Sequence, residues 1–141
     1  MIPSFGTVLC ATDLSFEGNR ALRVAHRLAT PGGTVHRLHV LEPRAAGDPV
    51  SEEDEARRRL GACEPTDGPF CTHVLRGSDI ADTIEQLARR QHVDIIVMST
   101  RGRTGLARLV LGSVAADVVR KTNLPVILVR DADETGSSDP S

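Results

Sequence analysis

The residues best placed to do chemistry lie between Ser99 and Ser113. The apolar run Asp94-Ile95-Ile96-Val97-Met98 leads straight into Ser99-Thr100-Arg101-Gly102, and after nine intervening residues Gly112-Ser113 precede the apolar positions Val114, Val118 and Val119. Gly102 lets the backbone turn sharply and approach a ligand with no Cβ in the way. Gly112-Ser113 opens a helix, whose amino-terminal N–H groups and dipole favour an anion such as a phosphate. The Ser113 hydroxyl adds a donor, and Arg101 or Arg103 can neutralise further charge. Asp13, at the carboxyl end of the first apolar run, would face the same crevice and could hold a ribose hydroxyl or the water shell of a magnesium ion. The same residues have a plainer use, with both glycines making turns and Ser113 capping a helix.

Other chemistries find little support. His36 and His39 are three apart in a strand, which points them to opposite faces, and His26, His73 and His92 are scattered. With no H-E-x-x-H and no Cys–His cluster, no metal site is expected. There is no G-x-S-x-G elbow, and the only lysine is Lys121, which excludes a P-loop. The 17 basic and 19 acidic residues leave a net charge of −2, so neither nucleic acid nor a membrane is expected as a partner. Phe5, Phe16 and Phe70 are the only aromatics, too few for base-stacking platforms. Cys10, Cys63 and Cys71 form no C-x-x-C, and Met1-Ile2-Pro3-Ser4 lacks a basic, signal-like start, so a soluble cytoplasmic protein is expected.

The elements that must position these residues alternate along a chain of 141 residues, the length of one domain. Thr7–Thr12 reads as a strand buried on both faces, and Ala21, Leu22, Ala25, Leu28 and Ala29 as the stripe of a helix stopped by Pro31-Gly32-Gly33. Val35–Leu41 is a second strand, closed by Glu42-Pro43. Ser51 to about Cys63 reads as a charged surface helix with pairs Glu53–Arg57, Asp54–Arg58 and Glu55–Arg59. It is a solvated face or a partner-docking one. Phe70–Leu75 is the third strand, and Gly77-Ser78-Asp79 introduces a helix with Ile80, Ile84, Leu87 and Ala88 on one face. Asp94–Met98 and Pro125–Val129 are strands four and five, and the acidic tail 131–141 reads as frayed beyond a domain of residues 1–130. Strict alternation of strands and helices gives a single-domain α/β fold, an open, doubly wound parallel sheet.

The chain also resembles the universal stress protein family, of the ATP-binding type, from Val8 to Arg130. The resemblance is carried by Ala11-Thr12-Asp13-Leu14-Ser15, His39-Val40-Leu41-Glu42-Pro43, Asp94 through Gly105, Gly112-Ser113-Val114 and Leu124 through Arg130. It implies a five-stranded sheet of order 3-2-1-4-5, the adenine nucleotide alpha-hydrolase-like architecture, and an adenine-nucleotide site of pattern Gly-x-x-Gly, nine residues, Gly-Ser or Gly-Thr. Carried onto this chain, adenine and ribose contacts fall on Ala11, Thr12, Asp13, Val40 and Met98, although Val40 and Met98 serve equally as core residues. Phosphate contacts fall on Arg101, Gly102, Gly112, Ser113, Val114 and Ala115. Ser99 stands where the pattern has its first glycine. If the backbone there needed a positive φ, serine would cost on the order of 1 kcal/mol; otherwise its hydroxyl can help. The resemblance further implies ATP with magnesium as ligand and a homodimer pairing Val126–Val129 with its copy. No catalytic base is evident, so at most slow hydrolysis or autophosphorylation is expected. The alternative is a nucleotide-independent dimeric scaffold; an ATP-pyrophosphatase would need a glycine-rich loop that Ala11-Thr12-Asp13-Leu14-Ser15 lacks.

Overall fold

Alternate residues of the first strand pack against opposite layers of helix, and this two-sided burial organises the structure. The computed structural model describes residues 4–43, 49–66, 68–100 and 112–130. Five strands, β1 (Phe5–Ala11), β2 (Ala29–Leu41), β3 (Phe70–Arg76), β4 (Ile95–Ser99) and β5 (Val126–Val129), form one sheet of order β3-β2-β1-β4-β5. Every neighbouring pair is parallel. On one face Val8, Cys10, Val35 and Val97 meet Ala21, Leu22 and Ala25 of α1 (Phe16–Leu28) and Ala56 and Leu60 of α2 (Pro49–Ala62). On the other, Leu9, Leu38, Ile96 and Met98 meet Ala81, Ile84 and Leu87 of α3 (Ile80–Arg90) and Ala115 and Val118 of α4 (Ser113–Lys121). This is the doubly wound sheet that the alternation of elements predicts.

Two local expectations are corrected. Pro31-Gly32-Gly33 does not separate α1 from β2 by a turn; β2 already begins at Ala29. The register with β1 jumps from Phe5 opposite Ala29 to Thr7 opposite Thr34, so the irregularity is absorbed inside the strand. Gly32 supplies a φ of +84°, and a Cβ on Gly33 would lie 2.7 Å from the Gly6 carbonyl oxygen. The second correction concerns α2, whose expected i,i+4 pairs give way to one i,i+3 pair and to contacts outside the helix. Glu53 pairs with Arg76 of β3, Arg58 with Glu55, and Arg59 donates to the Leu14 carbonyl. Ala56 and Leu60 are buried, so the helix is anchored rather than merely solvated.

The sheet also contains a charge that an apolar reading of β2 misses. Arg37 is fully buried. Its guanidinium donates to the carbonyls of Leu60 (2.7 Å) and Pro65 and to His26 Nε2, and lies 3.7 Å from the Phe70 ring centroid. Burial lowers its pKa, yet an arginine stays charged, and the carbonyl oxygens and the ring face take the place of a carboxylate. It ties α1 and α2 to the sheet.

His36 and His73 share the α3 face of the sheet, their ring nitrogens Nδ1 and Nε2 2.9 Å apart. Burial holds both below the ordinary histidine value of 6.5, and for His73 the neighbouring His36, Arg90 and Arg57 add to it. The folded protein therefore binds fewer protons here than the unfolded chain, and this contribution to stability is lost as pH falls below 6.5. Melting temperature measured between about pH 7.5 and 5.5 should fall less in His73→Gln than in the wild type. Equal slopes would contradict the assignment.

Candidate functional site

The cleft is built where β1 and β4, adjacent in the sheet, send their chains away on opposite faces. At the end of β1 the Thr12 amide still bonds the Leu38 carbonyl (2.9 Å), and then the chain turns on its own side chains. Thr12 Oγ1 accepts from the Leu14 amide (3.0 Å) and Asp13 Oδ1 from the Ser15 amide (2.9 Å). Leu14 takes a φ of 69°, an uncommon conformation for leucine, which these two side-chain turns hold in place. From β2, His39 Nδ1 lies 2.9 Å from the Thr12 carbonyl oxygen, which can only accept, so Nδ1 carries the proton. The carboxylate of Asp13 is thereby aimed at the crevice, with Oδ2 buried.

The opposite lip is formed by β4 and α4. Ser99 is extended, in register with Val129, and the Thr100 amide bonds the Val129 carbonyl (3.1 Å). Among the described residues only Leu14 and His92 combine a side chain with positive φ, so Ser99 bears no left-handed strain. The Gly112 amide returns to the Thr100 carbonyl at 2.7 Å, which sets the start of α4 over the end of β4. Gly112 is the cap, at φ −61° and ψ 152°, and has no side chain to accept from the first turn. Ser113 is the first helical residue and not the cap. The amides of Ser113, Val114 and Ala115 have no acceptor within the helix, which makes this end receptive to an anion.

Between the lips lies a cleft of about 630 Å³, within the usual size of small-molecule sites. Of the residues singled out in the sequence, Ala11, Thr12, Asp13, Val40, Met98, Ser99, Gly112, Ser113, Val114 and Ala115 all line it. Arg101, Gly102 and Arg103 lie outside the described residues. The wall also contains residues that the sequence did not assign to the site: Glu42 and Pro43 at the end of β2, Glu52 of α2, and Ile80 and Ile84 of α3. Glu42-Pro43 closes a neighbouring strand and was accessible to the same strand-end argument; Glu52 was not, because its place depends on how α2 packs. Leu38, Val40, Ile84 and Met98 give an apolar middle, and Ser113 with the α4 amides a polar end. Among the described residues no group of three His, Cys, Asp or Glu side chains is arranged to hold a metal ion.

Residues 4–130 match the model of the universal stress protein family. The chain belongs to that family. A universal stress protein of Thermus aquaticus is 35% identical over 136 residues, covering 89% of this chain and 99% of its own. Among solved structures, hypothetical protein MJ0577 superposes with a TM-score of 0.74 at 26% identity, over 91% of this chain and 97% of its own. A universal stress protein from Archaeoglobus fulgidus in complex with dAMP gives 0.65 at 26% identity, over 92% and 98%. Another universal stress protein, in complex with cAMP, gives 0.65 at 25% identity, over 90% and 98%. The order 3-2-1-4-5 found here is thus that of a universal stress protein with the adenine nucleotide alpha-hydrolase-like fold.

The extended backbone at Ser99 has a testable consequence for this family member. Glycine at that position gives up strand propensity without relieving strain, so Ser99→Gly should lower unfolding stability by about 0.5–1 kcal/mol in urea titrations. A stabilised variant would show that the serine is strained after all.

Proposed function

We propose that this universal stress protein domain binds an adenine nucleotide, ATP with magnesium, in the cleft between β1 and β4, and acts as a nucleotide-dependent signalling module in a stress response. The observation that carries the reading is the convergence of an apolar middle, an aimed carboxylate and an open helix start in one cleft of about 630 Å³. Adenine fits against Val40 and Met98, and the ribose reaches Thr12 and Asp13. The phosphates meet the amides of Ser113, Val114 and Ala115, with Ser99, Arg101, Gly102 and Gly112 completing that end. Asp13, an acceptor-only carboxylate, fits the water shell of magnesium, an ion that would offset phosphate charge. The relatives solved with dAMP and cAMP support this, since both ligands join adenine to one phosphate.

If the affinity is near micromolar, millimolar ATP stabilises the fold by about 4 kcal/mol and raises the melting temperature by several degrees. Gly102→Val should abolish that shift by placing a side chain where the phosphates approach. Absence of a shift with ATP, ADP or AMP in the wild type would instead favour the nucleotide-independent scaffold.

The quaternary proposal rests on β5, which closes one edge of the sheet with four apolar residues and no charge to deter pairing. Its antiparallel pairing with a second copy satisfies the open backbone groups and forms a homodimer. Sedimentation equilibrium should return twice the chain mass of 15.1 kDa; a monomer at micromolar concentration would refute the pairing. The three cysteines are free, as suits a reducing cytoplasm, where we place the protein with residues 131–141 as a tail outside the domain. No helix among the described residues is long and apolar enough to cross a membrane.

A further inference from the structure

On α2, α3 and α4 an arginine is paired with an acid of its own helix: Arg58 with Glu55, Arg89 with Glu85 and Arg120 with Asp117. The first helix differs. Arg20, Arg23 and Arg27 of α1 have no hydrogen bond or ion pair among the described residues, and Arg20 Nε is buried without an acceptor. At 3.6 residues per turn these three positions fall within about 60° of one another, in a stripe about 10 Å long. Arg23 and Arg27 are exposed and Arg20 is half-buried. The stripe runs along the outside of the helix, because Ala21, Leu22 and Ala25 are turned to the sheet. Its neighbours fix the rest: Asn19 accepts from Cys63 Sγ just beyond α2, and His26 meets Arg37 of β2, so that flank faces α2 and β2. Arg20 and Arg27 each lie one residue, about 100°, further round. The stripe therefore leans away from α2, towards β5, whose Ile127 and Val129 pack in the same core as α1.

The chain that follows β5 supplies the matching charge. β5 ends at Val129, at the carboxyl edge of the sheet, which is also the edge where α1 begins. Residues 131–141 contain Asp131, Asp133, Glu134 and Asp139 and no basic residue. With those four set aside, 15 acidic residues stand against all 17 basic ones up to Arg130, so domain and tail are of opposite charge. Asp131 to Glu134 spans about 10 Å when extended, the length of the stripe, and the whole segment reaches at most about 36 Å, enough to cross a helix about 10–12 Å thick.

We propose that residues 131–141, which the sequence alone reads as frayed, dock on the arginine stripe of their own α1, with Asp131, Asp133 and Glu134 as acceptors for Arg20, Arg23 and Arg27. The docked segment covers the basic face of the domain and withholds it from other acidic chains. Single exposed ion pairs are weak, but three on a short tether act together, and their hold depends on salt.

Amide NMR of the full chain tests the proposal. At about 10 mM salt the signals of residues 131–134 should lie away from their positions at about 1 M, where screening acts within about 3 Å. In Arg23→Gln/Arg27→Gln, two exposed changes that leave the core untouched, they should take the high-salt positions at both concentrations. Cleavage after Glu134 by a glutamate-specific protease should quicken about fivefold in that variant at low salt, the combined effect of two exposed pairs. Asp133→Asn/Glu134→Gln should in return shift the Nε–Hε signals of the three arginines. Arg89→Gln/Arg120→Gln removes the same charge from the opposite helix layer and should leave residues 131–134 unmoved; an equal response there would reveal a general field and overturn the docking. Signals that move with salt but ignore the α1 variant would seat the acids elsewhere, and signals that ignore salt would leave them undocked, and either result overturns the proposal. Labelled wild type equilibrated with an excess of the unlabelled α1 variant should keep its signals. A move to the high-salt positions would transfer the segment to a second copy and contradict docking within one chain.

Discussion

The reversal of strand order at β1 is the constraint from which the site follows. Parallel strands send every carboxyl end to one edge of the sheet, and right-handed crossovers then place α1 and α2 on one face and α3 and α4 on the other. The chain leaving β1 and the chain leaving β4 must therefore diverge. A crevice between them is unavoidable, and what remains for the sequence to decide is its lining. Here that lining is apolar in the middle and rich in acceptors towards α2, with open helix amides at the other end.

Holding such a crevice open requires polar groups that are themselves held. In the Thr12–Ser15 loop the side chains of Thr12 and Asp13 accept from the Leu14 and Ser15 amides, and His39 and Arg59 take the carbonyls of Thr12 and Leu14. Deeper in, Arg37 bonds carbonyl oxygens from the end of α2 and the segment after it. These bonds act at the places where helix layers meet the sheet, and removing one partner would leave a buried donor or acceptor unmet. The lone lysine serves the same purpose: Lys121 Nζ reaches Asp79 Oδ2 at 2.9 Å, joining the end of α4 to the cap of α3.

What could be read in advance was whatever short-range pattern decides. Continuous apolar runs identified β1, β4 and β5 within a few residues, and Asp79 caps α3 through the Asp82 amide as its position suggests. Asp13 and Ser113 were legible because strand ends and helix starts are where this architecture exposes chemistry. Pro31-Gly32-Gly33 misled because breakers mark a bulge inside a long strand as well as a turn. Arg37, Glu52 and Arg76 were invisible for a different reason: Arg37 bonds Leu60 23 positions away and Arg76 bonds Glu52 24 positions away, and nothing local marks which charged residue will find such a partner.

The proposed function depends on an adenine nucleotide lying across the two diverging chains, its phosphates at the start of the last helix. A crystal grown with excess MgATP reads this directly. The expected density shows phosphate oxygens against the amides of Ser113 to Ala115, with the purine beside Val40. Ordered solvent alone in that crevice would contradict the functional reading and leave the fold as the part that survives.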